Sequence, residues 1–212
     1  MEQTDHFYDE KYYKEHYGKL YDPGYYQKIS RFWKYNIFDA NNFALDGKLL
    51  DFGAGLGQIS ASLEADCFDP SPVATQFLKR QGRVIYQHTD KIPLGYYKYL
   101  LSSHALEHAL KPFEQLFIFK KILVSDGYLI LILPAEDIPG RPVKRQDDNK
   151  HFYCWNFQTI TNLLIESGFE IVQQKMIYGP VGLTKTDNFN LVHQLGKLWK
   201  HYPSILTIAK II

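Results

Sequence analysis

One short stretch limits the fold of this 212-residue chain more than any other: residues 48–60, KLLDFGAGLGQIS. Two apolar residues, Leu49 and Leu50, lead into an acid, Asp51, and three glycines then follow at alternate positions, Gly53, Gly55 and Gly57. A residue without a Cβ takes positive φ at little cost and lets the backbone lie against another surface. An apolar run that ends in such a turn reads as a buried strand handing the chain to a ligand-facing loop, which is where α/β proteins bind nucleotides.

The flanking sequence repeats the same strand-and-helix alternation. Residues 58–64 are expected to form a short helix and 65–69 (ADCFD) a second strand ending in an acid. Pro70 and Pro72 start a helix with Val73, Phe77 and Leu78 inward. Strands are expected at 83–87 and 97–103, a helix at 113–124, and the strongest strand, YLILILP, after the Asp126-Gly127 turn. A helix at 156–167 stopped by Gly168, a strand at 169–177 and a last strand at 204–212 complete seven strands. Such alternation predicts an α/β fold with a largely parallel sheet covered on both faces. Upstream, the spacing of Ile29, Phe32, Trp33 and Ile37 is helical. The expected organisation is an N-terminal lid and helix over residues 1–45, then a main domain over 46–212 with an insertion at about 178–202.

Composition narrows the function classes. A formal net charge of +1 argues against nucleic acid as the partner, and 45% hydrophobic residues supply a core. The N-terminus is charged and Tyr-rich without the apolar centre of a signal peptide, and the longest apolar run, 128–133, is far short of a membrane span. Two cysteines, Cys67 and Cys154, make no disulfide framework and read as reduced thiols of a cytoplasmic protein.

The glycine spacing is G-x-G-x-G rather than the dinucleotide G-x-G-x-x-G, and no Lys-Ser/Thr follows, so a phosphate-cradling loop is excluded. Asp69 lies 18 residues beyond Asp51 at the end of the next strand, where a carboxylate can accept both hydroxyls of a ribose. Asp51 is available to a cationic amino group. A ligand with a ribose and an ammonium but no phosphate fits S-adenosylmethionine.

With LLDFGAGLGQIS, CFDPSP, LLSSHALEHALKP, DGYLILILP and HFYCWNFQTITNLLIESGFEI in this order, the chain from about residue 30 onward resembles the class I S-adenosylmethionine-dependent methyltransferases. That resemblance implies a Rossmann-like seven-stranded sheet with helices on both faces. Its last strand would be antiparallel and inserted beside the strand before it. By position, Asp51, Gly53, Ala54, Gly55 and Gly57 would line the methionine part of the cofactor, Asp69 the ribose and Pro70 the adenine. Ser103 and His104 would stand near the sulfonium. An acid after the third strand usually meets the adenine amino group; His88 and Asp90 both fit that place, with Asp90 preferred. Lys98 departs from the Asp common at the start of the fourth strand.

His104-Ala-Leu-Glu107-His108 matches the H-x-x-E-H pattern of zinc peptidases, but it follows a buried strand and Pro112 interrupts the next segment, whereas a peptidase needs one long helix. Some quinone-precursor and RNA-end methyltransferases carry Glu-x-x-Glu-His here and hold Mg²⁺ with it. His104 replaces the first acid, which weakens the case for a hard ion, so no metal ligand is assigned. Glu107 in a structural pairing is the plainer reading. His108, His104 and His151 are the candidate general bases for an acceptor hydroxyl.

Residues 150–156, KHFYCWN, end a long polar loop. Tyr153 and Trp155 could wall an aromatic or sugar ring, and Arg141, Lys144 and Arg145 could pair with an anion. The Tyr-rich arm, with Tyr13 and Tyr17 one helical turn apart, resembles a lid that closes over a cofactor. Residues 191–201 carry Leu191, Leu195, Leu198 and Trp199, read as one side of a helix suited to a cap, a homodimer contact or, less well, a membrane surface. No Asn/Asp-Pro-Pro-Tyr follows strand four, so oxygen is the preferred methyl acceptor atom, on a sugar, a phenol or quinone precursor, or a lipid-linked molecule. The alternatives are a non-catalytic S-adenosylmethionine-binding regulator or partner subunit and, remotely, an H-x-x-E-H metal hydrolase.

Overall fold

The strand at the head of the glycine turn, Leu49–Phe52 (β1), is buried along its whole length. In the computed structural model, which describes residues 9–136 and 150–212, β1 pairs in parallel with Ala65–Phe68 (β2) on one side and Tyr97–Ser103 (β4) on the other. Ile85–Tyr86 (β3) extends the sheet beyond β2, and Leu123–Pro134 (β5) beyond β4, both in parallel. Ser204–Ile211 (β7) then pairs antiparallel with both β5 and Phe169–Ile177 (β6). The order is β3-β2-β1-β4-β5-β7-β6, seven strands with the last inserted antiparallel, as expected.

Strand alternation divides the core into two layers. Leu50, Leu100, Leu129, Leu131 and Leu133 pack on one face with Leu116, Phe119 and Ile122 of Pro112–Ile122 (α4) and Ile160 and Leu164 of Phe157–Glu166 (α5). Leu49, Leu101, Ile130, Ile132, Leu206 and Ile208 pack on the other against Ile37 and Phe38 at the end of Pro23–Ile37 (α2). The Asp126-Gly127 turn lies inside β5, where the β4 pairing slips between Tyr97 and Tyr99. Lys98, the departure at the start of strand four, is ion-paired with Asp126 there.

Caps fix the helix ends. Asp22 accepts from Tyr25 N–H and Pro23 opens α2, so Asp22-Pro23-Gly24 both breaks the arm and starts the next helix. Ser71 caps Pro72–Arg80 (α3), and Asn156 and Thr159 form a reciprocal capping box on α5.

One expectation is corrected. Residues 58–64 form a chain of turns, not a helix. Only seven residues separate Gly57 from Ala65, and the segment is tied down sideways. Ser60 turns inward to Asp51, and Ser30 of α2 bonds both Ile59 O and Ser62. In Phe189–Leu198 (α6) the buried residues are Val192 and Gly196, while Leu191, Leu198 and the following Trp199, read from sequence as one side suited to a contact, are exposed. The close approach at Gly196 sets this rotation: a Cβ there would stand 2.3 Å from Gly179 O, so the helix presents its glycine inward. Val192 joins Leu20, Tyr26, Ile29, Phe32 and Leu183 in a cluster that joins the arm, α2 and α6. No helix of the described residues is long and apolar enough to cross a membrane.

Candidate active site

Strand order reverses between β1 and β4, since β1 leads outward to β2 and β3 while β4 leads the other way to β5. The crevice beyond the carboxyl ends of those two strands is where α/β sheets bind ligands, and both sequence motifs meet there. Gly53 and Ala54 donate their N–H groups to Phe68 O at 2.8 and 3.0 Å, folding the turn back over β2. Gly53 has φ 75°, and a Cβ on it would stand 2.7 Å from the Ala105 Cβ. Glycine is therefore required twice at this point, for the backbone angle and for contact with the middle of HALEH. At Gly57 (φ 72°) a Cβ would meet Leu78 at 2.7 Å and the Tyr26 hydroxyl at 3.2 Å; that hydroxyl donates to Leu56 O at 2.7 Å.

Asp51 and Asp69 are both buried here. Asp51 accepts from Ser60 Oγ at 2.5 Å, and Arg83 donates to the same Ser60 oxygen at 3.1 Å. Burial still pushes the Asp51 carboxyl up to about 6, against the Ser60 hydrogen bond and the Arg83 charge. Asp69 accepts from Gly55 N–H at 2.7 Å and Ser71 N–H at 2.9 Å, and burial likewise raises it to about 6. A buried carboxylate held this high is stabilised by an arriving cation or donor pair. Ser60 and Arg83 escaped the sequence reading. The signal for Ser60 lay in the small, polar close of the 48–60 stretch; nothing local marks Arg83.

The second half of the site is assembled from distant segments. Leu106–His108 form a 3-10 turn after β4, and His104 stands before it at φ 50°, a left-handed angle rare for a side-chain-bearing residue. Its ring is 45% exposed, with Nδ1 3.6 Å from Glu107 Oε1 and Nε2 3.3 Å from Ser204 Oγ. Glu107 is fully buried, and among the described residues no other group donates a hydrogen bond to either of its carboxylate oxygens. Burial, with Glu136 nearby, pushes its carboxyl up to about 8. His151 enters from beyond β5: Nδ1 is 2.6 Å from Glu136 Oε2 and Nε2 is 3.9 Å from Glu107 Oε1. The His108 and His151 rings meet edge to face at 4.8 Å. Phe152 N–H donates to Glu107 O at 2.9 Å, which pins the returning loop to the HALEH turn. Glu136 was not singled out from sequence, although an acid two residues past the end of the longest strand falls at the mouth of the sheet.

Other predicted residues are distributed as follows. Ala54 is buried with Cys67 and Leu78, and Pro70 is half-buried between Asp69 and Ser71. Ser103 Oγ is shielded and has no hydrogen-bond partner among the described residues. Asp90 is 70% exposed and pairs with Lys91 at 3.2 Å, and His88 is exposed. Tyr153 and Trp155 stack at 5.5 Å, with Tyr153 OH on Leu110 O. Arg141, Lys144 and Arg145 fall outside the described residues. The arm helix Glu10–Tyr17 (α1) covers the crevice. Tyr13 is buried, hydrogen-bonded to the Ser71 side chain and beside Asp69; Tyr17 lies near Glu107 and Tyr202.

Residues 14–174, well over half of the chain, match the methyltransferase-domain family. Solved structures of the same fold include a methyltransferase of Haloferax volcanii in complex with the activator Trm112. It is 13% identical, with 98% of each chain covered and a TM-score of 0.68. A second is an S-adenosylmethionine-dependent methyltransferase of Thermotoga maritima (16% identity, 97% of this chain and 98% of that one, TM-score 0.64). A third is the 1,6-didemethyltoxoflavin-N1-methyltransferase of Burkholderia thailandensis with bound 1,6-didemethyltoxoflavin and S-adenosylhomocysteine (14%, 95% and 86%, 0.62). A comparison with curated proteins gives no match. The crevice at the sheet's switch point, with its two buried acids and glycine turn, thus belongs to an enzyme of the S-adenosylmethionine-dependent class. The chain is a member of the methyltransferase-domain family, with the class I fold.

Proposed function

We propose that this enzyme methylates a hydroxyl oxygen of a small molecule, with His104 as general base. The carrying observation is the Gly53–Ala105 contact, which sets the glycine turn and its two acids directly beside the HALEH turn. The residues present fit S-adenosylmethionine. Asp51 offers a buried carboxylate to the ammonium, and Asp69 can exchange its Gly55 and Ser71 contacts for ribose hydroxyls. Gly53, Ala54, Gly55 and Gly57 supply close backbone, and Ser103 brings an unpartnered hydroxyl to the mouth of β4. Pro70 and Asp90 are assigned to the adenine end by position alone. When bound, the cofactor supplies an electrophilic methyl on sulfur, so the protein need only orient, exclude water and manage a proton.

His104 suits that last task better than His108 or His151, because its ring is the exposed one, stands at the end of β4, and has its pKa lowered to about 4 by desolvation and the neighbouring His151, so that it waits unprotonated. With Nδ1 turned toward Glu107, Nε2, now 3.3 Å from Ser204 Oγ, would leave that hydroxyl to take the acceptor's proton. Tyr17, near Glu107 and Tyr202, would flank an aromatic or sugar ring, and α1 closes over it. Two experiments test the reading. Calorimetric titration with S-adenosylmethionine and its demethylated product should show binding; none at millimolar ligand overturns the cofactor assignment. A panel of phenols, sugars and amines with methyl-labelled cofactor should label hydroxyls, and labelling confined to amines overturns the acceptor class.

A further inference from the structure

We propose that Glu107, His108 and His151 form a site for one divalent first-row transition ion, with Glu136 as the group that orients His151. The sequence reading assigned no metal ligand, because HALEH lacks a second carboxylate in the position that suits Mg²⁺. The folded chain changes the donor count by bringing His151 back from beyond β5.

Three observations carry the assignment. One ligand atom from each of the three residues lies within 4.8 Å of the others, although His151 is 43 residues from His108 in sequence. Ligand atoms on a shared tetrahedral ion are about 3.4 Å apart, for bonds of about 2.1 Å, so modest side-chain adjustment closes the set. Next, the Glu107 carboxylate is fully buried without a hydrogen bond from any other described residue, and a carboxylate in that setting requires a cation or a proton. Finally, Glu136 holds His151 Nδ1 at 2.6 Å while Nε2 faces Glu107. A carboxylate behind one ring nitrogen fixes the tautomer and presents the other nitrogen to a metal.

The donor chemistry selects the ion. Two imidazoles and one carboxylate suit Zn²⁺, Mn²⁺ or Fe²⁺, whereas Mg²⁺ and Ca²⁺ favour all-oxygen sets. Three protein ligands leave a coordination position open, as in catalytic zinc centres. His104 stays outside the set, with its Nε2 on Ser204.

The site stands independently of the methyl-transfer reading, so its test uses no cofactor or acceptor. Chelator-treated full-length protein is titrated with Zn²⁺, and bound metal is counted after gel filtration. One zinc per chain is expected, undiminished by excess Mg²⁺. X-ray absorption of the zinc-loaded wild type should show two imidazoles with oxygen and no sulfur, a readout that needs no variant. His108→Ala and His151→Ala should each lose at least about a hundredfold in affinity, and Glu136→Gln about tenfold. Circular dichroism and thermal melts report whether each variant is folded. Substoichiometric zinc, a sulfur ligand, displacement by Mg²⁺, or full retention of zinc in both folded His variants overturns the site.

Discussion

The two halves of the crevice solve opposite problems. Around Asp51 and Asp69 the polar atoms are answered from within the chain. Ser60, Gly55 and Ser71 each donate to a carboxylate, and Arg83 stands behind Ser60. Around Glu107 the carboxylate faces two histidines at 3.6 and 3.9 Å, and no other described residue donates to it. The first half is written mainly by backbone, in one contiguous stretch plus the end of β2. The second is written by side chains drawn from the ends of β4, β5 and the segment before α5. A backbone-built half tolerates little change in shape, while a side-chain-built half tolerates change in chemistry but depends on a third party to complete it.

Substitutions can pull the halves apart. The largest effect is expected at His104→Ala: turnover falls by about 10²–10⁴-fold, the range for a lost general base, while cofactor affinity measured by calorimetry is retained. Equal losses in both would make the half-sites one unit. Next comes Gly53→Ala, where the positive φ alone costs about 1–3 kcal/mol and the new Cβ drives into Ala105. Thermal stability and cofactor binding should both fall, and the double variant with Ala105→Gly should recover part of the loss; no recovery would break the proposed contact.

The pH response separates the halves further. Asp51 and Asp69 sit at about 6 in the free protein. A ligand that requires them ionised binds more weakly as pH falls through 6, by up to about tenfold per carboxylate per pH unit below it. Folding of the ligand-free chain shows the opposite sign. These raised values add stability below the ordinary carboxylate range, and it is lost as pH rises through 6. Titrations at pH 5.5 and 8 check the first, and ligand-free thermal melts over the same interval check the second. The smallest effect is Tyr26→Phe, which removes the hydroxyl bond to Leu56 O; about 1 kcal/mol of stability and a modest loss in cofactor affinity are expected.

How much of this was legible in sequence follows the same division. The strands, the glycine turn and the two acids are local patterns, so period and spacing reveal them. The helix expected at 58–64 failed because tertiary bonds from Ser30 and Asp51 claimed Ser62 and Ser60. In α6 the apolar side was visible, but what turns it outward, the approach of Gly196 to Gly179 O, was not. HALEH and His151 were visible as separate candidates, yet their meeting and the part of Glu136 were not. Glu136 and His151 reach Glu107 only because β5 ends beside β4, a distance that no spacing in the chain encodes.

The contact between Gly53 and Ala105 also bears on how this scaffold can be rebuilt. Because position 105 is sandwiched against a residue that cannot grow a side chain, only a small residue fits at the centre of the HALEH turn. A laboratory exchanging the 150–155 segment would carry the Gly53–Ala105 pair through every round unchanged. The pair acts as a fixed register mark between the two half-sites.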